Sequence, residues 1–153
     1  MRIQVMSDLH TEDYESPIDF LASGQVRFPG ADVLALCGDI VAVDCQGADE
    51  IRRIFEYLSL QARHVLFVAG NHEYWGTPTK PGTAEHTEHV LRSCIETLPN
   101  IRYLNNAEVV IDGQHFIGGT MWFPFNPLTA ISHRARFGGE PRCRSCRISD
   151  EAA

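Results

Sequence analysis

No stretch of this 153-residue chain approaches the run of about 20 apolar residues that a membrane-spanning helix requires. The opening, Met1-Arg2-Ile3-Gln4-Val5-Met6, is too short an apolar run for the core of a secretory signal. These two absences lead to the expectation of a cytoplasmic protein with no membrane partner. Clustered basic charge is also lacking. The formal net charge is -7, whereas a surface that grips nucleic acid needs grouped Lys and Arg against the phosphates, so specific nucleic-acid binding is not expected. A disulfide framework is missing as well: Cys37, Cys45, Cys94, Cys143 and Cys146 are odd in number and irregularly spaced. Cys143 and Cys146 form a C-x-x-C, but no second pair completes a four-ligand zinc site. Cys37 ends the apolar run Val33-Leu34-Ala35-Leu36-Cys37 and reads as a buried small hydrophobe. No internal repeat or long linker divides the chain, and its length suits one domain.

What is present is a globular composition, 44% hydrophobic and 22% charged, in a layered order. Ile3–Met6, Val33–Cys37 and Val65–Ala69 are short, nearly continuous apolar runs, the pattern of strands buried on both faces. Between them, residues 48–62 place Ile51, Ile54, Phe55, Leu58 and Ala62 on one helical stripe. Residues 84–98 do the same with Val90, Leu91, Cys94, Ile95 and Leu98, and a shorter helix is expected at 17–23. Alternating strands and helices predict an α/β fold. After the last helix, residues 101–104, 109–111 and 115–118 read as three short strands of a second sheet, with Asp112-Gly113 as a hairpin turn.

Each of the first three strands ends in metal-type ligands: Asp8 and His10, then Asp39, then Asn71 and His72. Sites in open α/β sheets gather at the carboxyl ends of the strands, so the three clusters can converge. Carboxylate, amide and imidazole donors together suit a pair of borderline divalent ions about 3.5–4 Å apart. Such ions polarise a phosphoryl group and lower the pKa of a bound water, and a nearby imidazole can protonate the leaving oxygen.

Asp8-Leu9-His10, Gly38-Asp39 and Gly70-Asn71-His72-Glu73 resemble, in order and strand context, the first three motifs of the calcineurin-like metallophosphoesterases: D-x-H, G-D and G-N-H-[DE]. The resemblance runs from Met1 to about Pro127. It implies a layered sandwich of two β-sheets flanked by helices, incomplete at its C-terminus, and hydrolysis of phosphomonoesters or phosphodiesters with Mn, Fe, Zn or Co. It further implies that Asp8 and His10 bind the first ion, that Asp39 bridges both, and that Asn71 binds the second through its amide oxygen. His72 would contact the scissile phosphate as general acid.

The family's later motifs, a lone His and then G-H-x-H, do not follow. After Pro127 the only histidine is His133, set among arginines that would repel a dication. By this reading residues 1–127 form a truncated family domain with an incomplete binuclear site. Residues 128–153, which carry Arg134, Arg136, Arg142, Arg144 and Arg147 and few large aliphatic side chains, form an aberrant or poorly ordered tail. An inactive scaffold on the same fold and a frameshifted fragment are the rival readings. A sheet left without its remaining strands would expose an edge and favour self-association. Tyr74 and Trp75 could line a substrate pocket or pack at a rim. His86 and His89 read as part of a solvated face, and His64 and His115 as structural.

Overall fold

A computed structural model of the chain describes residues 1–75 and 83–122. The expectations placed on the tail, including His133, Cys143 and Cys146, lie outside the described residues. Six strands are present among those described: β1 (Ile3–Met6), β2 (Val33–Cys37), β3 (His64–Val68), β4 (Ile101–Tyr103), β5 (Ala107–Ile111) and β6 (Gln114–Gly118). The helices are α1 (Pro17–Ala22), α2 (Val43–Gln46), α3 (Ala48–Ser59) and α4 (Ala84–Ile95). Single 3-10 turns at Thr11–Asp13 and His72–Tyr74 follow β1 and β3.

The local sequence accounts for most of these boundaries. Pro17 opens α1, where its missing N–H costs no helical bond. Thr83 caps α4 by accepting the His86 backbone N–H at 3.2 Å. Asp112 and Gly113, with φ of 48° and 76°, form the left-handed turn that a tight β5–β6 hairpin needs.

Strands β1 to β4 form one parallel sheet in the order β1-β2-β3-β4, and β5 and β6 form a separate antiparallel pair. One face of the parallel sheet is covered by helices. Leu34, Leu36, Val65 and Phe67 pack there against Ile51, Ile54, Phe55 and Leu58 of α3 and Leu91 and Ile95 of α4. The other face receives the hairpin, through Val33 and Leu66 against Leu104 and Ile111. This is the expected layered arrangement of two sheets flanked by helices.

Two expectations are corrected. Residues 101–104 do not begin the second sheet: β4 pairs parallel with β3, Val65 opposite Ile101 and Phe67 opposite Tyr103. The α4 crossover returns the chain beside β3, and Ile101 is buried against the helix layer, a non-local gain that a three-residue run cannot announce. Nor is β1 buried on both faces. Ile3 and Val5 are 49% and 66% exposed, because among the described residues the β5–β6 hairpin covers Val33 of β2 and Leu66 of β3 and leaves that face of β1 open.

Candidate metal centre

The carboxyl ends of β1, β2 and β3 lie side by side because the strands are parallel and adjacent, and the loops leaving them are fastened together. Asp8 N–H donates to the Gly38 carbonyl at 3.1 Å, His10 N–H to Asp39 at 3.0 Å, and Thr11 N–H to Ile40 at 3.2 Å. The Thr11 hydroxyl adds a buried 2.6 Å bond to the same Ile40 carbonyl. The third loop joins the second through Glu73, which is 0% exposed. One of its carboxylate oxygens accepts the N–H of Gly70 (2.7 Å) and Asp39 (3.0 Å), and the other those of Ile40 (2.7 Å) and Val41 (3.2 Å). Burial pushes the Glu73 carboxyl up from its ordinary 4.5, and the four N–H groups offset only part of that.

The two loops approach so closely that both glycines are required. A Cβ on Gly38 (φ 88°) would lie 2.7 Å from the Gly70 backbone, and one on Gly70 would lie 2.3 Å from Asp39 Oδ1. Asp8, His10 and Asp39 themselves adopt positive φ of 56°, 45° and 56°. Such conformations cost a non-glycine residue about 1–3 kcal/mol and cluster at functional sites.

Within this frame Asp8, His10 and Asp39 bring their donor atoms to within 4.8 Å of one another. His10 Nε2 faces Asp8 Oδ1 at 4.0 Å. Among the described residues no Arg or Lys forms an ion pair with Asp8 or Asp39. Two carboxylates and an imidazole converging with no protein cation between them fit a divalent ion. Asp39 also accepts the His72 backbone N–H at 2.9 Å, tying the β2 loop to the β3 loop. Asn71 joins Asp39 in the wall of a cavity of about 710 Å³. Its far side is formed by Ile117, Met121 and Trp122 at and beyond the end of β6. Cys37 also lines this cavity and is exposed. That corrects its reading as a buried hydrophobe: Cys37, paired with Val68 at the end of β2, opens onto the cavity.

His72 is held on three sides. Trp75 stacks on its ring, with centroids 3.6 Å apart. The His10 ring meets it edge-on at 4.2 Å, and its Nδ1 lies 2.7 Å from Glu12 Oε1. Tyr74 instead donates to Glu88 and lines a second cavity of about 400 Å³ with Glu88, Asn105 and Trp122. The two aromatic residues after the third motif thus divide the roles left open for them. His86 lies 3.8 Å from Asp44 and belongs to neither group of metal-type ligands found among the described residues.

The sequence reading missed Glu12 and the cradle role of Glu73. Glu12 stands two residues after His10, a spacing that allows a carboxylate to fold back on the imidazole, and that was the available signal. Its side chain is 3% exposed and contacts both His10 and His72. Burial raises the Glu12 carboxyl, but the bond from His72, its own backbone N–H and the His10 contacts leave it below 4.5. Burial lowers His72, while the bond and charge of Glu12, with Asp39 and Glu73, carry it above 6.5. The raised His72 contributes stability that is fully present below 6.5 and lost as pH rises through its folded pKa. The lowered Glu12 contributes stability present above 4.5 and lost as pH falls through its own. In metal-free protein, the difference in melting temperature between wild type and His72→Ala is therefore expected to be widest between pH 4.5 and 6.5 and to narrow on both sides. A difference independent of pH would show that the pair adds nothing beyond ring packing.

Comparison with known proteins places this geometry. A sequence model of the family described as calcineurin-like phosphoesterases matches residues 1–138. The chain is 30% identical over 128 residues to a protein of Acanthamoeba polyphaga mimivirus named "Uncharacterized protein L509", an alignment that covers 80% of this chain and 45% of that one. Its fold is similar to that of the phosphopantetheinyl hydrolase of Mycobacterium tuberculosis, with a TM-score of 0.55 at 17% identity over 98% of this chain and 53% of the hydrolase. The chain thus spans about half the length of each of these relatives.

Proposed function

The chain belongs to the calcineurin-like phosphoesterase family, and from that premise we propose that its strand-end site serves metal-dependent hydrolysis of a phosphoester. The observation that carries this reading is the convergence of Asp8, His10 and Asp39 within 4.8 Å at the ends of two adjacent strands. In the proposed roles Asp8 and His10 hold one ion, and Asp39 reaches it and faces the cavity. Asn71 offers its amide oxygen on the cavity side. A divalent ion bound there supplies Lewis-acid polarisation of the phosphoryl oxygens and an acidified water.

The chain's own residues do the rest. Glu73 fixes the loop that carries Asp39 by binding its N–H and those of Ile40 and Val41. His72, whose Nδ1 faces the Glu12 carboxylate, would give the leaving oxygen a proton from Nε2, the role of a general acid. Trp75 screens one face of that imidazole from water. The cavity beside Asp39 and Asn71 is walled on its far side by apolar and aromatic groups, which suits a phosphoester whose organic part is at least partly apolar.

Three donors surround the first position, and among the described residues Asp39 and Asn71 serve the second. Calorimetry with Mn²⁺ is therefore expected to show one dominant ion per chain, with binding abolished in Asp39→Ala. Two tight equivalent sites, or unchanged affinity in Asp39→Ala, would refute this assignment. One bound ion with no hydrolysis of any aryl phosphoester would instead support a metal-binding scaffold.

A further inference from the structure

We propose that Glu12 is a positioning residue shared by two imidazoles, holding His10 and His72 as the tautomers that carry hydrogen on Nδ1 and leave Nε2 free. The inference rests on the phosphoesterase reading only for what those Nε2 atoms then do; the tautomers themselves follow from contacts within the chain.

The geometry is specific. Glu12 Oε1 lies 2.7 Å from His72 Nδ1 and 3.1 Å from His10 Nδ1. One buried oxygen therefore faces the same nitrogen of both rings. A carboxylate has no hydrogen to give, so each Nδ1 facing it must be the donor. In a neutral ring with hydrogen on Nδ1, Nε2 keeps its lone pair. For His10 that lone pair lies on the side of Asp8, 4.0 Å away, where a divalent ion needs an unprotonated nitrogen. For His72, with Nδ1–H committed to Glu12, Nε2 is the nitrogen left to exchange a proton.

The backbone shows that Glu12 is set in place for this contact. His10 takes the left-handed conformation (φ 45°, ψ 53°) that starts the 3-10 turn Thr11–Asp13, and Thr11 anchors that turn to Ile40 through its backbone and its hydroxyl. The turn drives Glu12 inward to 3% exposure between the two rings. Its second oxygen, Oε2, is buried with no hydrogen-bond partner among the described residues. Burying a carboxylate while leaving one oxygen unpartnered costs stability, and the first oxygen's two imidazole contacts are what the molecule gains. The His10 and His72 rings then meet edge to face at 4.2 Å, so a single carboxylate sets both the ion's imidazole and the proposed acid.

The test begins with metal-free, ¹⁵N-labelled protein at a pH where both rings are neutral. Long-range correlations between ring nitrogens and ring carbon protons are expected to show hydrogen on Nδ1 in His10 and in His72. In Glu12→Ala both rings should move toward the Nε2–H form that an unrestrained histidine favours. Affinity for Mn²⁺, read by calorimetry, should then fall about 10–100-fold, the usual loss when a group orienting a metal ligand is removed. Glu12→Met, which keeps much of the volume and lacks the acceptor oxygen that faces both rings, should release them in the same way, and it carries the comparison should Glu12→Ala not fold. Either ring carrying hydrogen on Nε2 in the wild type would overturn the proposal, and so would tautomers unchanged in both variants. Mn²⁺ or Zn²⁺ captured by both Nδ1 atoms together with Glu12, a grouping whose atoms also lie within 4.8 Å, would overturn it too, by making the three residues a metal site. Failure of the phosphoesterase reading looks different: the predicted tautomers and affinity loss would appear in a wild type that hydrolyses nothing.

Discussion

Glu73→Ala is expected to lower folding stability by about 3–6 kcal/mol, a large part of the roughly 5–15 kcal/mol that holds a typical domain. The side chain touches no solvent and accepts four backbone N–H groups from two loops. Its removal orphans the Ile40 and Val41 N–H groups, both buried, at about 1–3 kcal/mol each. The Gly70 and Asp39 donors are only part-buried and recover some of their loss from water. The vacated volume adds a cavity cost. Glu73→Gln should fall between wild type and alanine. Its one carbonyl oxygen can serve either the Ile40 and Val41 pair or the Gly70 and Asp39 pair, while its NH₂ faces the other. Chemical denaturation at neutral pH measures all three proteins. A loss under about 1 kcal/mol in Glu73→Ala would mean that the loops reach the same geometry without their carboxylate.

Turnover carries the second large expected effect. Where hydrolysis of an aryl phosphoester is measurable, His72→Ala should lower kcat by about 10²–10⁴-fold while leaving the bound ion in place. The imidazole is not among the donors grouped around Asp8 and Asp39, so its loss removes the proton donor without removing a ligand of that position. Asp39→Ala should abolish both turnover and ion binding, because this carboxylate reaches the ion and also accepts the His72 N–H that joins the second and third loops. The pair of variants separates the two roles. Activity that survives both substitutions would remove His72 and Asp39 from the mechanism and leave the site without its proposed chemistry.

Much of this was legible from order and periodicity. The runs at Ile3–Met6 and Val33–Cys37 are strands at the bounds their apolar residues suggested, and β3 differs from its expected start and end by one residue. The stripe of Ile51, Ile54, Phe55 and Leu58 is the buried face of α3. Helical and extended periods are local properties, written in spacings of a few residues, so a chain can display them without its partners. The placing of Asp8, Asp39 and Asn71 just after strands was equally visible, since parallel strands that lie side by side must bring their carboxyl ends together.

What remained hidden depended on which segments meet. Residues 101–103 extend the first sheet, because the α4 crossover carries them back to β3 and Ile101 finds a buried place there. Exposure of Ile3 and Val5 follows from where the hairpin lies, over β2 and β3 and not over β1, and exposure of Cys37 from its place in the lining of the cavity. Glu73 and Glu12 were plain carboxylates in the sequence. One became the cradle of two loops and the other the link between two imidazoles, through contacts 32 to 60 residues apart that only the packed loops create. The first three strands, the main helices and the order of the ligand-bearing loops are written in local pattern and can be read without the fold. How those ligands are held is a matter of packing, because a buried carboxylate such as Glu73 or Glu12 takes most of its partners from loops distant in sequence.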